Sequence, residues 1–135
     1  MATRKHRLID CNPRWMVGRY ASDSDGPVCG IQFECPEGHV RCWHSIPFTP
    51  AMDGAPRASW QQNGAVWQRT GGTFDTLVLS PSIRREPVYA SREAAIADGA
   101  SPEHLEDTHF CALHIFIGGS GGQIPGGIEF CGDSR

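Results

Sequence analysis

The chain has 135 residues with a formal net charge of −3, so one domain is expected and a general grip on nucleic acid, which needs a basic excess, is not. With 16 Gly, 10 Pro and 39% hydrophobic residues, the composition suits many short strands and turns around a modest core rather than long helices. No run approaches the ~20 consecutive apolar residues of a membrane span, and no apolar segment follows the basic run Arg4-Lys5-His6-Arg7 as a secretory signal would require. A reducing cytoplasm is therefore the expected site of synthesis, and under those conditions six Cys point to metal ligation rather than to three disulfides.

Taken in chain order, residues 1–27 have no regular apolar period. Asp10-Cys11-Asn12-Pro13 and the stretch from Ser22 to Pro27 are turn chemistry around a semi-apolar piece with Trp15, Met16, Val17 and Tyr20. The expectation is an extended arm carrying one short strand, ordered by lying across another subunit, with the basic run at its start solvated. The body of the domain is then 28–135.

Val28 to Cys35 alternates apolar and polar residues over its second half, as a half-buried strand does, and Pro36-Glu37-Gly38 turns it. Val40 to Phe48 predicts a second strand, with Val40, Cys42, His44 and Ile46 on one face and His39, Arg41, Trp43 and Ser45 on the other. Thr49 to Arg57 is loop, and Asn63-Gly64 between two strand-like runs is a type I′ hairpin signal. Thr73 to Leu79 predicts a strand stopped by Ser80-Pro81-Ser82. That serine pair resembles a nucleophile motif, but no strand-turn-helix elbow surrounds it, and it reads as a strand terminator. Ser91 caps a short helix over 91–98 with Gly99 beyond its end, and Ser101-Pro102 opens a further helical turn. Thr108 to Ile117 predicts a continuous apolar strand. Gly118 to Gly122 makes a hairpin turn into a last strand near Gly127 to Cys131, and it lacks the Gly-Lys-Ser/Thr ending of a phosphate loop.

Two clusters of soft ligands flank the centre of the chain: Cys35 with His39, Cys42 and His44, and Cys111 with His114. Structural zinc takes four Cys or His ligands, commonly as two close pairs that only the fold brings together, so the pattern predicts one Zn²⁺ acting as a cross-link. Cys35, Cys111 and His114 are three expected ligands, and the fourth is His44, Cys42 or His39. The competing account makes the cysteines small core hydrophobes and the histidines hydrogen-bonded residues. Three ligands plus water would instead make a hydrolytic centre, with Glu37 as the candidate base, although a carboxylate in a turn is more commonly solvated. Cys29 and Cys131 read as core residues, and Trp15, Trp43, Trp60 and Trp67 as packing residues rather than a stacking platform.

Several motifs occur together and in order: Phe33-Glu34-Cys35-Pro36, His44 before Ile46-Pro47-Phe48, Trp60-x-x-Asn63-Gly64, Leu77-x-Leu79-Ser80-Pro81-Ser82-Ile83, and Cys111-x-x-His114-x-Phe116-Ile117. Over 31–130 this order resembles the small zinc-binding proteins of unknown function encoded by tailed phages and prophages. Here Glu37 and Gly38 stand where that family has the second Cys of its Cys-Pro-x-Cys knuckle, which leaves His39, Cys42 or His44 to replace it. The elements taken together predict a mainly β fold, a bent antiparallel sheet or small barrel-like sandwich with a short helical insertion over 91–107 and a zinc staple. The resemblance supplies a phage context and the arm supplies an assembly hint. Together they lead to the expectation of a non-enzymatic capsid or tail accessory (decoration or stabilising) protein, made in the host cytoplasm and carried in the virion against other particle subunits in a homo- or hetero-oligomeric assembly. A phage protein that modulates a host factor, and a small zinc hydrolase, are the alternatives from other classes.

Overall fold

In the computed structural model, residues 3–17, 27–54, 65–105 and 107–135 are described. The predicted Asn63-Gly64 hairpin, Trp60 and Tyr20 lie outside them. The architecture is mainly β, with eight strands in two sheets among the described residues and no closed barrel.

The first sheet holds β1 (Arg14–Met16), β2 (Gly30–Glu34), β3 (Trp43–Thr49), β4 (Trp67–Thr70) and β5 (Val78–Ser80) in that spatial order. β2 and β3 pair antiparallel, with Ile31 opposite Ile46 and Phe33 opposite His44. Because side chains alternate, Ile31, Phe33 and Cys35 share the buried face with Cys42, His44, Ile46 and Phe48. The expected strand from Val40 begins only at Trp43, since Val40 and Arg41 form the loop and Arg41 takes a positive φ of 52°. The sheet is not wholly antiparallel: β3 and β4 run parallel, with Phe48 opposite Trp67. The expected strand from Thr73 is also shorter, because the Thr76 hydroxyl accepts from the backbone N–H of Thr73 and Gly72 and winds 73–76 into a turn.

At Ser80-Pro81-Ser82 the chain leaves the first sheet and enters the second, β6 (Ile83–Arg84), β7 (His114–Ile117) and β8 (Ile128–Phe130), paired antiparallel in that order. Between β6 and β7 lies α1 (Arg92–Ala97), where the Ser91 hydroxyl accepts from the Ala94 N–H and Gly99 follows at a φ of +97°, as the capping pattern predicts. The continuous strand expected from Thr108 is broken. A 3-10 turn occupies Asp107–Phe110, and its His109 carbonyl accepts from the Val88 and Tyr89 N–H groups, so β7 starts at His114. The glycine turn after β7 closes as expected: the Gly118 N–H donates to the Gly127 carbonyl. Gly118 has a φ of +95°, and a Cβ there would lie 2.7 Å from Val78, so a side chain would wedge apart the seam between β5 and β7.

The two sheets enclose one core, in which Phe33, Phe48, Ile31, Leu79, Ile83, Leu113, Ile115 and Ile117 are fully buried. The arm expectation is corrected here. Leu8, Cys11 and Met16 are buried in that same core, and β1 pairs with β2. Lys5 donates its backbone N–H to the Pro36 carbonyl, Leu8 to Gly126, and Ile128 to the His6 carbonyl. Three apolar residues too widely spaced for any periodicity still find the core, because backbone bonds to two sheet elements fix the path between them. Burial pushes the Cys11 thiol up to about 12, so this cysteine is a neutral core side chain at physiological pH.

If residues 3–17 belong to the core, Leu8→Ala lowers stability by about 2–5 kcal/mol in urea denaturation of the full chain, the range for a buried leucine. A loss below about 0.5 kcal/mol, typical of a surface substitution, would return the segment to the status of an arm.

Candidate metal centre

Four soft side chains converge inside the fold: Cys35, Cys42, His44 and Cys111, whose ligand atoms all lie within 4.8 Å of one another. The hairpin linking β2 and β3 supplies three of them. The Cys35 N–H donates to the Cys42 carbonyl, setting these residues opposite each other at the mouth of the loop. Within the loop the Gly38 N–H donates to the Cys35 carbonyl, and Gly38 takes a φ of +88° that glycine adopts without strain. His44 lies two residues beyond Cys42 and so on the same face of the strand. Cys111 arrives from the second sheet, immediately before β7, so the group joins the two sheets.

The separations match a common ion. Two sulfurs each ~2.3 Å from one ion at the tetrahedral angle stand ~3.8 Å apart, and a sulfur and a nitrogen slightly less. Cys35 Sγ to Cys111 Sγ is 3.6 Å, Cys42 Sγ to His44 Nε2 is 3.5 Å and Cys111 Sγ to His44 Nε2 is 3.7 Å. All four residues are at most 4% exposed. The group can therefore hold a metal ion with every tetrahedral position filled by protein.

Without a cation the same crowding keeps the thiols protonated. For Cys35 the hydrogen bond with Cys111 favours the thiolate, but the bond with Cys42 and burial outweigh it and push the thiol up to about 12. Hydrogen bonds with Cys35 and Cys42, then burial, raise Cys111 further. A divalent ion inverts this balance, because its charge stabilises coordinated thiolates, and binding then expels the thiol protons.

Of the residues the sequence offered, Cys35, Cys111, Cys42 and His44 are brought together, Cys42 and His44 jointly rather than as alternatives. His39 stands outside the four, with Nδ1 3.4 Å from Cys35 Sγ. His114 is not brought to the group. It lies on the face of β7 opposite the buried Ile115 and Ile117, with its ring nitrogens held by Ser82 (Nε2 to Oγ, 3.0 Å) and Asp133 (Nδ1 to Oδ1, 2.7 Å). On the continuous strand expected there, the offset of three sets Cys111 and His114 on opposite faces, so the pair could have met one ion only if the backbone turned between them.

The loop is braced by a contact the sequence did not suggest. Glu37, expected to be solvated, is 7% exposed and accepts a two-pronged bond from Arg4, Nε to Oε1 at 2.7 Å and Nη2 to Oε2 at 3.2 Å. The same guanidinium donates to the Ser134 carbonyl and sits 4.3 Å over the Phe130 ring. Glu37 is thus committed as a buried anchor, which removes it as the base of a hydrolytic centre.

No family model, curated protein or solved structure matches this chain. The reading of the site therefore rests on its own geometry.

In native mass spectrometry under reducing conditions, Cys111→Ser loses the bound metal, whereas His114→Gln retains one equivalent per chain. Cys111→Ser also melts far below Cys29→Ser, since loss of a ligand forfeits coupling energy on the order of 10 kcal/mol and a core thiol loses only packing. Metal retained by Cys111→Ser, or lost from His114→Gln, would refute this ligand set. Separately, Arg4→Ala costs about 1–3 kcal/mol by chemical denaturation, less than a fully buried pair because Arg4 is half exposed; Arg4→Ala with Glu37→Gln recovers part of that loss.

Proposed function

We propose that this chain is a zinc-stapled accessory protein of a tailed-phage particle, in which the metal is structural. The observation that carries the metal's role is that four buried protein ligands fill the tetrahedron: catalytic zinc keeps one position for water, and structural zinc does not. Three thiolates and one imidazole are a soft donor set suited to Zn²⁺. The absence of an open position disfavours the zinc hydrolase reading.

The particle setting is supported by the ordered motifs shared with small phage proteins. With residues 3–17 engaged in the chain's own core, subunit contacts fall elsewhere. Val40, in the metal loop, and Val88 are exposed apolar residues outside that segment. No helix among the described residues is long and apolar enough to cross a membrane, and the net charge does not favour nucleic acid.

Mass spectrometry of particles purified from producing cells tests the setting, with the metal measured on the isolated protein by native mass spectrometry before and after chelation. The expected results are the chain present in particles at a fixed ratio to the major subunits, and one zinc per chain. Its presence in the lysate but not in particles would overturn the particle role in favour of a host-factor ligand. Metal-free protein prepared under reducing conditions would overturn the staple.

A further inference from the structure

His114, which the metal does not use, is the middle of a chain of side chains the sequence did not join. Ser82 Oγ lies 3.0 Å from His114 Nε2, and His114 Nδ1 lies 2.7 Å from Asp133 Oδ1. A carboxylate only accepts, so Asp133 takes the Nδ1 hydrogen, and in the neutral imidazole the Nε2 lone pair then accepts from the Ser82 hydroxyl. We propose that Ser82, His114 and Asp133 form a nucleophilic relay able to cleave a carboxylic ester, a chemistry separate from the metal and additional to the structural role.

The polarity and order of the bonds are those that activate a serine: hydroxyl to imidazole, imidazole to carboxylate. Three elements hold them. Ser82 sits at the crossing between the sheets, its carbonyl accepting from Trp67 Nε1. Arg84, two residues beyond Ser82, pairs with His114 in the β6–β7 ladder. The His114 backbone N–H donates to the buried Ser134 hydroxyl, and the Ser134 N–H to the Cys131 carbonyl, which fixes the turn presenting Asp133. The hydrogen bond from His114 holds the Asp133 carboxyl below the usual range, so it stays an acceptor at neutral pH.

In the reaction, Ser82 Oγ attacks the ester carbon as its proton passes to His114 Nε2. The bond to the leaving alcohol breaks, and the alcohol departs with that proton. Water then attacks the acyl-serine, gives its proton to Nε2 and releases the acid as Ser82 is restored. Ser82 and His114 are the catalytic residues, and Asp133 is a positioning residue. A cavity of about 280 Å³ on the Asp133 side of the relay is lined by His114, Asp133, Arg84, Arg85, Glu86 and Arg135 and not by Ser82, so a substrate acyl group resting there has to reach past the imidazole to the hydroxyl. The cavity's size fits a small acyl group. Arg84 is already paired with Glu86 (2.8 Å) and Asp133 (3.4 Å) and Arg85 donates to the Ser45 carbonyl, so Arg135 is the guanidinium group that a carboxylate on the substrate would meet. Because Asp133 is 51% exposed, water screens its charge, and the relay is slower than one with a buried carboxylate.

The test treats the full-length chain with a fluorophosphonate probe and maps the adduct by peptide mass spectrometry. The expected adduct is on Ser82. His114→Gln reduces the labelling rate roughly a hundredfold, the low end of general-base contributions, and Asp133→Asn reduces it at least about tenfold with no change in melting midpoint, which separates positioning from structural support. Hydrolysis of the 4-nitrophenyl half-ester of succinate exceeds that of 4-nitrophenyl acetate, and Ser82→Ala abolishes both. A folded wild-type chain that leaves Ser82 unlabelled, or labelling of Ser82 that neither variant slows, would overturn the relay, and equal rates on the two esters would overturn the anionic substrate class. Should His114→Gln fail to fold, Asp133→Asn, altered at an exposed side chain, decides alone.

Discussion

The structure depends on one convergence: three ligands from a hairpin of the five-stranded sheet meet a fourth from the segment leading into the three-stranded sheet. The sheets belong to separate ladders, and what lies between them is chiefly apolar contact, which is non-directional and does not fix how one layer sits on the other. A tetrahedral ion held by the four side chains would fix it, because four donor atoms must satisfy one centre. In a chain of this size, with a core of modest volume, such a cross-link contributes orientation as well as stability.

A second brace runs parallel to it. Arg4 joins the metal loop through Glu37, the final turn through the Ser134 carbonyl, and β8 through the face of Phe130. A buried carboxylate alone would be expensive, and a single flexible guanidinium tied to it would gain little. Three simultaneous contacts on one planar group repay the ordering of the side chain. The first turn of the described chain is therefore part of the architecture of the site, although its ligands lie more than thirty residues downstream.

How much of this was legible depended on whether the signal was local. The alternation through Cys42, His44 and Ile46, the Ser91 cap with Gly99, and the glycine turn before β8 are each set by neighbours in sequence, and each appears where expected. The membership of Cys35 and Cys111 followed from ligand chemistry. Registers and connections were not legible. Nothing local makes β3 and β4 parallel, and nothing local places a 3-10 turn at Asp107–Phe110; that Cys111 and His114 face opposite ways was legible in their odd spacing and was not read. Leu8, Cys11 and Met16 lacked a period because backbone bonds to distant carbonyls, rather than a repeating face, guide them into the core. Ser82 was dismissed for want of a helix after it. The partner that changes its meaning comes from another strand, and sequence adjacency carries no information about it.

The segment 111–114 brings these observations to one place. Cys111 points into the core toward the hairpin ligands, while His114, three residues on, faces Ser82 and Asp133 on the opposite surface of the sheet. Leu113 between them is fully buried, its carbonyl accepts from the Arg85 N–H, and Ala112 exchanges backbone bonds with Arg135. The four residues are thus held on both sides by main-chain bonds and anchored inward by a core side chain. They cannot rotate independently. A group that fixes Cys111 also fixes the plane from which His114 projects, so the rigidity that a bound ion would lend to the core would extend to the outer face of the same short stretch of backbone.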